Sequence, residues 1–232
     1  MLNRAARYFP IVRELKQHLV DSDSLLEIGS GPYGLGEFYS RSFVGCDVSF
    51  VTRPRPPMSP VLATATHLPF RDRAFDGIVV SDVLEHVPPD CRMPVIREAL
   101  RVTRKVAIFG FPQGPQAFEY DRKLAKVYAE KQVDAPVWLQ EHMRHPFPTE
   151  NLFDDLRTEW NIRSFGNESL NFHYSVMRKE LHRLWNYSFL LLLALIPKTV
   201  EYILRRADHE PYYRNIVVVQ RPPELGSKAA AL

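Results

Sequence analysis

Cysteine is scarce in this sequence. Two thiols in 232 residues, Cys46 and Cys91, make neither a disulfide framework nor a metal-binding cluster, so a reduced, cytoplasmic setting is expected and no metal site is. Excess charge is lacking too. Thirty Lys and Arg stand against 27 Asp and Glu, a net of +3, which gives no case for a nucleic-acid partner. The longest apolar run, Phe189 to Ile196, has eight residues and stops at Pro197, far short of the ~20 that cross a bilayer as a helix. The basic residues near the start reach Arg13 and Glu14 without an intervening apolar core, so no signal peptide is expected. No internal repeat occurs. What is present, 45% hydrophobic and 25% charged residues, is ordinary for a globular domain with a substantial core.

One stretch organises the rest. Leu25-Leu26-Glu27-Ile28 opens at once into Gly29-Ser30-Gly31-Pro32-Tyr33-Gly34-Leu35-Gly36, four glycines in eight residues. A buried strand that breaks into such a turn and then a helix makes a nucleotide cradle, because glycine accepts positive φ and leaves bare backbone for the ligand. Residues 35–41 are predicted to be that helix. Upstream, Phe9, Val12, Leu15 and Leu19 recur at helical spacing, which predicts an amphipathic helix over 5–20. Downstream, strands are predicted at 42–48, 61–64, 75–82 and 105–112, with a helix starting near Pro88 between the last two. This alternation argues for a parallel α/β sheet. Asp47 lies 18 residues after Gly29, near the ~20-residue interval at which an acid meets ribose hydroxyls in a βαβ nucleotide unit. Beyond residue 112 the pattern changes. A helix around 116–131, a helix capped by Thr149, a strand over 161–168, a helical excursion and a strand over 213–220 are predicted, with a disordered tail at 222–232.

Four ordered pieces carry a resemblance: Glu27-Ile-Gly-Ser-Gly31, Asp47, His67-Leu-Pro-Phe70, and Phe75-Asp-Gly-Ile-Val-Val-Ser-Asp-Val-Leu-Glu-His-Val87. Together they resemble the class I S-adenosylmethionine-dependent methyltransferases, and within them the type-11 group, over residues 22–112. The resemblance implies a Rossmann-like α/β fold of seven strands with an antiparallel C-terminal end. It also implies one domain over 1–221, with a helical insertion at about 169–211, and S-adenosylmethionine as cofactor. Glu27 would order the loop, Gly29, Ser30 and Gly31 would lie against the ligand, Asp47 would take the ribose hydroxyls, and Val48 would meet adenine. Ser81 and Asp82 would face the methionine portion and the reacting centre. Thr64 stands where family members often carry an acid for the adenine amino group, so its hydroxyl or the Ala65 backbone would substitute. Gly34 would serve as a third glycine arriving one residue late.

The acceptor is expected to be a small molecule, hydrophobic or lipid-linked, methylated on oxygen. Methyl transfer depends on in-line positioning, and a base is needed only for a hydroxyl or a protonated amine. His86 is the candidate base; the plainer reading makes Glu85-His86 a structural helix-start pair. Tyr120, Glu141 and His142 are candidate acceptor contacts, with solvated loop residues as the favoured plain reading. The apolar segment is flanked by Arg178, Lys179, Arg183, Lys198, Arg205 and Arg206, so peripheral membrane contact through 184–206 is open, although burial is favoured for so short a run. Two other classes stand beside the enzyme: an NAD-dependent oxidoreductase, opposed by the lack of a Tyr-x-x-x-Lys element, and a non-catalytic methyltransferase-like binding protein, for which Thr64 leaves room.

Overall fold

The computed structural model describes residues 2–180, 185, 188, 191, 192 and 195–222. The tail expected to be disordered lies, beyond Pro222, outside the described residues. Seven strands are present: β1 (Leu25–Ile28), β2 (Phe43–Asp47), β3 (Met58–Leu62), β4 (Phe75–Ser81), β5 (Thr103–Pro112), β6 (Asn161–Ser169) and β7 (Tyr212–Gln220). They form one sheet in the order β3-β2-β1-β4-β5-β7-β6. The first five run parallel, and β7 enters antiparallel between β5 and β6. This is the expected seven-stranded arrangement.

Period-two alternation sorts the apolar side chains to the two faces. Leu26, Ile28, Ile78, Val80, Val217 and Val219 point to one layer, where α2 (Pro89–Val102) supplies Val95, Ile96 and Ala99. Leu25, Val79, Ile216 and Val218 point to the other, against Tyr8, Ile11, Val12 and Leu15 of α1 (Leu2–His18). Each fully buried aliphatic side chain contributes about 1.5–3 kcal/mol by leaving water. The later helices are α3 (Gly114–Glu130), α4 (Val137–His142), α5 (Leu170–Glu180) and α6 (Pro197–Arg206).

Several expectations need correction. Residues 35–41 do not form a helix; only a single 3-10 turn, Gly34–Glu37, follows the glycine loop. Two glycines in one turn weaken helix propensity, and Leu35, Tyr39 and Phe43 turn inward to pack with α1. Strand β3 begins three residues earlier than expected and carries Pro60, which an edge strand tolerates because one side needs no donor. The Thr149 segment is a 3-10 stretch, Glu150–Thr158, without a side-chain cap. The Thr149 hydroxyl turns instead to Asn151 Oδ1, while Phe153 and Leu156 are still buried.

The apolar run departs most from its favoured reading. Of its described residues, Leu191 and Leu195 are 61% and 68% exposed, and Leu192 and Ile196 are exposed as well. Among the described residues, Val176 of α5 and Val200 and Leu204 of α6 dock the insertion on Leu2, Ala5 and Ala6. Among the described residues, no helix is long and apolar enough to cross a membrane.

Candidate active site

β1 has β2 on one side and β4 on the other, and at such a reversal of chain order an open α/β sheet leaves a crevice beyond its carboxyl ends. A cavity of about 500 Å³ opens there, walled among others by Gly29, Asp47, Val48, Thr64, Ala65, Asp82, His86 and Glu141. A larger cleft of about 920 Å³, lined by residues such as Asp21, Asp23 and Arg41, lies where β1 and β2 begin and holds none of these groups. Volume alone therefore does not mark the site.

The glycine loop is held by two carboxylates. Glu27 is fully buried; the Tyr8 hydroxyl donates to its Oε1 at 2.8 Å and the Leu35 amide to its Oε2 at 2.7 Å. Burial pushes this carboxyl up to about 7, against the pull of those two donors. The carboxylate fills the place a side chain at Gly34 would need, and Gly34 has φ +45°, so the late glycine is required there. Gly29 has φ +73°, and a Cβ on it would run into Val83. Asp47 Oδ2 accepts the Gly31 amide at 2.8 Å, and its Oδ1 the Ser49 amide at 3.3 Å. Ser30 is buried and donates to the Gly31 carbonyl at 3.0 Å. A Cβ on Gly31 would meet only open space, so bare backbone lies beside the Asp47 carboxylate. That combination suits a ligand carrying an amino acid and a ribose. Val48 is 69% exposed at the rim, and the Thr64 hydroxyl lies 3.3 Å from that of Thr66. Ser81 is buried, with a hydroxyl that meets no partner among the described residues.

The wall beyond β4 is charged. Asp82 sits at φ +52°, unusual for a residue other than glycine. Arg7 reaches its Oδ2 at 2.6 Å, and Arg214 grips both oxygens at 3.0 and 3.1 Å while also holding Glu168 at 3.0 Å. Burial alone would raise the Asp82 carboxyl, but Arg214 and Arg7 outweigh it and hold the group well below the usual carboxylate range. Arg7, Glu168 and Arg214 were not singled out from the sequence. The available signal was Arg214 itself, a cation near the start of a strand whose centre, Ile216 to Val219, is apolar.

His86 shares this wall. Its Nδ1 lies 2.9 Å from Glu141 Oε2, and burial, followed by the nearby His142, lowers its pKa. Glu141 and His142 are therefore not solvated loop residues. Glu141 reaches the cavity, and His142 is buried with its Nδ1 2.6 Å from Asp121 Oδ2. The Tyr213 hydroxyl donates to that same oxygen at 3.0 Å. Glu85, beside His86 in the chain, is fully buried, and burial together with the charge of Asp82 raises its pKa well above the ordinary value. Tyr120 is not brought to the cavity; its hydroxyl donates to Asn171 Oδ1 at 2.8 Å.

Comparison with known proteins bears on the fold and the cofactor. Residues 26–111 match the family described as methyltransferase domain, of the type-11 group. Among curated proteins no sequence match was found. The fold is similar to that of magnesium protoporphyrin IX methyltransferase from Synechocystis PCC 6803 with bound SAH, at 11% identity and a TM-score of 0.56, covering 94% of this chain and 84% of that one. It is also similar to a SAM-dependent methyltransferase from Archaeoglobus fulgidus, at 13% identity and a TM-score of 0.54, covering 95% of each chain. A Haloferax volcanii protein from a complex with the Trm112 methyltransferase activator matches at 11% identity and a TM-score of 0.54, over 95% of this chain and 91% of that one. Residues 26–111 therefore carry a methyltransferase domain, and the sheet around it has the class I S-adenosylmethionine-dependent methyltransferase fold.

Proposed function

We propose that this methyltransferase acts on a small hydrophobic acceptor and methylates it on oxygen. The observation that carries this reading is the His86–Glu141 pair on the cavity wall, beside the apolar side chains of Val83, Val87 and Val95. S-adenosylmethionine, when bound, supplies a methyl group on a positively charged sulfur. Asp47 is the residue to hold ribose hydroxyls, Gly29 and Gly31 give backbone against which the ligand lies, and Val48, Thr64 and Ala65 border the adenine end. Ser81 and Asp82 head β4 on the methionine side, where Asp82 keeps a fixed negative charge. An ionised Glu141 only accepts, so His86 Nδ1 donates to it and Nε2 keeps the lone pair that can take a proton from an acceptor hydroxyl.

Residues 1–221 act as one catalytic domain in this proposal, in the cytoplasm. Leu191, Leu192, Leu195, Tyr202 and Ile203 are exposed, and Arg205 and Arg206 lie close by in the chain. Such a surface suits a peripheral lipid contact. Flotation with anionic vesicles tests that part, since protein left in the soluble fraction removes it.

The main test is a melting-temperature screen of apolar alcohols and phenols with S-adenosylhomocysteine present, followed by turnover of His86→Ala on any compound found. Loss of turnover with intact S-adenosylhomocysteine binding is the expected result. Unchanged turnover would remove His86 from the chemistry.

A further inference from the structure

The side chains of Glu85, His86 and His142 converge on the inner side of the cavity wall. A ring nitrogen from each histidine and a carboxylate oxygen of Glu85 all lie within 4.8 Å of one another. Glu85 is fully buried, and among the described residues neither of its oxygens meets a donor beyond its own backbone amide. The nearest ring nitrogen is His142 Nε2, 3.8 Å from Oε1, too far for a hydrogen bond. A buried carboxylate without a partner is costly, so it points to something that binds it.

Both histidines are oriented from outside the cluster. His142 Nδ1 is held by Asp121 at 2.6 Å and His86 Nδ1 by Glu141 at 2.9 Å. A carboxylate on one ring nitrogen fixes the tautomer and leaves the other with a lone pair, which is how metal-bound histidines are supported. The rings of Trp138 and Phe147 pack against His142 at 5.1 Å each, which limits water around it.

We propose that Glu85, His86 and His142 form a binding site for a divalent first-row transition-metal ion, of the zinc or manganese kind, beside the acceptor. Two imidazoles and one carboxylate match such ions rather than magnesium or calcium, which favour oxygen ligands. Bonds of about 2.0–2.2 Å place tetrahedral ligand atoms roughly 3.3 Å apart, so side-chain rotations of about an ångström close the set. His86 and Glu141 are at the cavity, which leaves an open coordination position facing it. The ion would polarise an acceptor oxygen. As the oxygen–methyl bond forms, the methyl–sulfur bond breaks with its electron pair left on sulfur, and the acceptor's proton leaves to water. With the ion bound, Nε2 of His86 is a ligand, so the proton that His86 would take in the metal-free enzyme goes to water instead. This catalytic use rests on the proposed oxygen acceptor; ion binding does not.

Calorimetric titration of zinc chloride, manganese chloride and magnesium chloride into EDTA-stripped, dialysed full-length protein tests the site. One zinc ion per chain is expected, with magnesium much weaker, and His142→Ala and Glu85→Gln should each weaken zinc by roughly tenfold or more. Glu85→Gln keeps the side-chain shape, and in EDTA it should melt above the unsubstituted protein because a lone buried carboxyl is gone. Binding of S-adenosylhomocysteine by both variants checks their fold. No zinc binding, or binding untouched by Glu85→Gln, overturns the site. S-adenosylhomocysteine binding without zinc binding would defeat this inference and leave the acceptor proposal standing. Zinc bound at this cluster without any effect on turnover of an oxygen acceptor would overturn the ion's catalytic use and leave the site and the acceptor proposal standing.

Discussion

The two walls of the cavity are built by different means. On the β1–β2 side the ligand cradle is tied by neighbours in the chain: Glu27 holds an amide eight residues on, and Asp47 holds one 16 residues back. On the β4 side the partners are remote. Asp82 is held by Arg7 and Arg214, 75 and 132 residues away, and His86 meets Glu141 across 55 residues. The first wall is a property of a short strand and its turn. The second exists only once α1, α4 and β7 are all in place, and it places charge where water cannot screen it. Local geometry sets the glycine-loop wall, and the finished fold sets the charged wall opposite.

This contrast can be broken by substitution. Arg214→Leu should have the largest effect, because it takes the guanidinium from the buried Glu168 and leaves Asp82 with Arg7 alone. Removing one member of such a cluster costs about 3–5 kcal/mol, readable in urea unfolding; a loss below ~1 kcal/mol, the scale of an exposed pair, would show that this wall does not rest on its charges.

Glu27 gives the second test, by pH. Its folded pKa of about 7 lies above the ordinary carboxyl value, so the folded state holds the proton more tightly than the unfolded chain. No penalty exists below the unfolded pKa. As pH climbs through the folded value a penalty accumulates, reaching roughly 3 kcal/mol by pH 8. The stability of the protein relative to Glu27→Gln should therefore fall between pH 4.5 and 8, and a flat difference would contradict the burial argument.

Gly29→Ala comes next. The positive φ and the collision with Val83 should cost about 1–3 kcal/mol and weaken S-adenosylhomocysteine binding, measured by calorimetry. Equal affinity would mean the loop yields more easily than its contacts imply. The smallest effect is expected from Thr64→Asp. Thr64 borders the cavity with only Thr66 as a hydroxyl partner, and an acid there should tighten S-adenosylhomocysteine by about threefold, under 1 kcal/mol. Weaker binding would argue that the present threonine already suits the adenine end.

The same division explains what could be read in the chain. The positions of the strands are written in short spacings and apolar runs, and these survive in one dimension, whereas the antiparallel end of the sheet came only with the family resemblance. The helix expected after the loop failed because tertiary packing of Leu35 and Tyr39 overrode its pattern. Tyr120 was misplaced, and the partners of Asp82 went unnoticed, because no spacing rule connects residues 7, 82 and 214. His142 looked like one polar residue of a loop; only its burial against Asp121 separates it from its neighbours. An absence of cysteine clusters removed one class of metal site from view while saying nothing of imidazole and carboxylate.

The antiparallel entry of β7 between β5 and β6 has a consequence for biosynthesis. Chains leave the ribosome from the amino end, and Arg214 is carried by the last of the seven strands to emerge. Until residues 212–220 are available, β5 and β6 have no common neighbour, and Asp82 has Arg7 as its only cationic partner within the cluster. The glycine-loop wall can take shape on a growing chain, whereas the opposite wall is wired last.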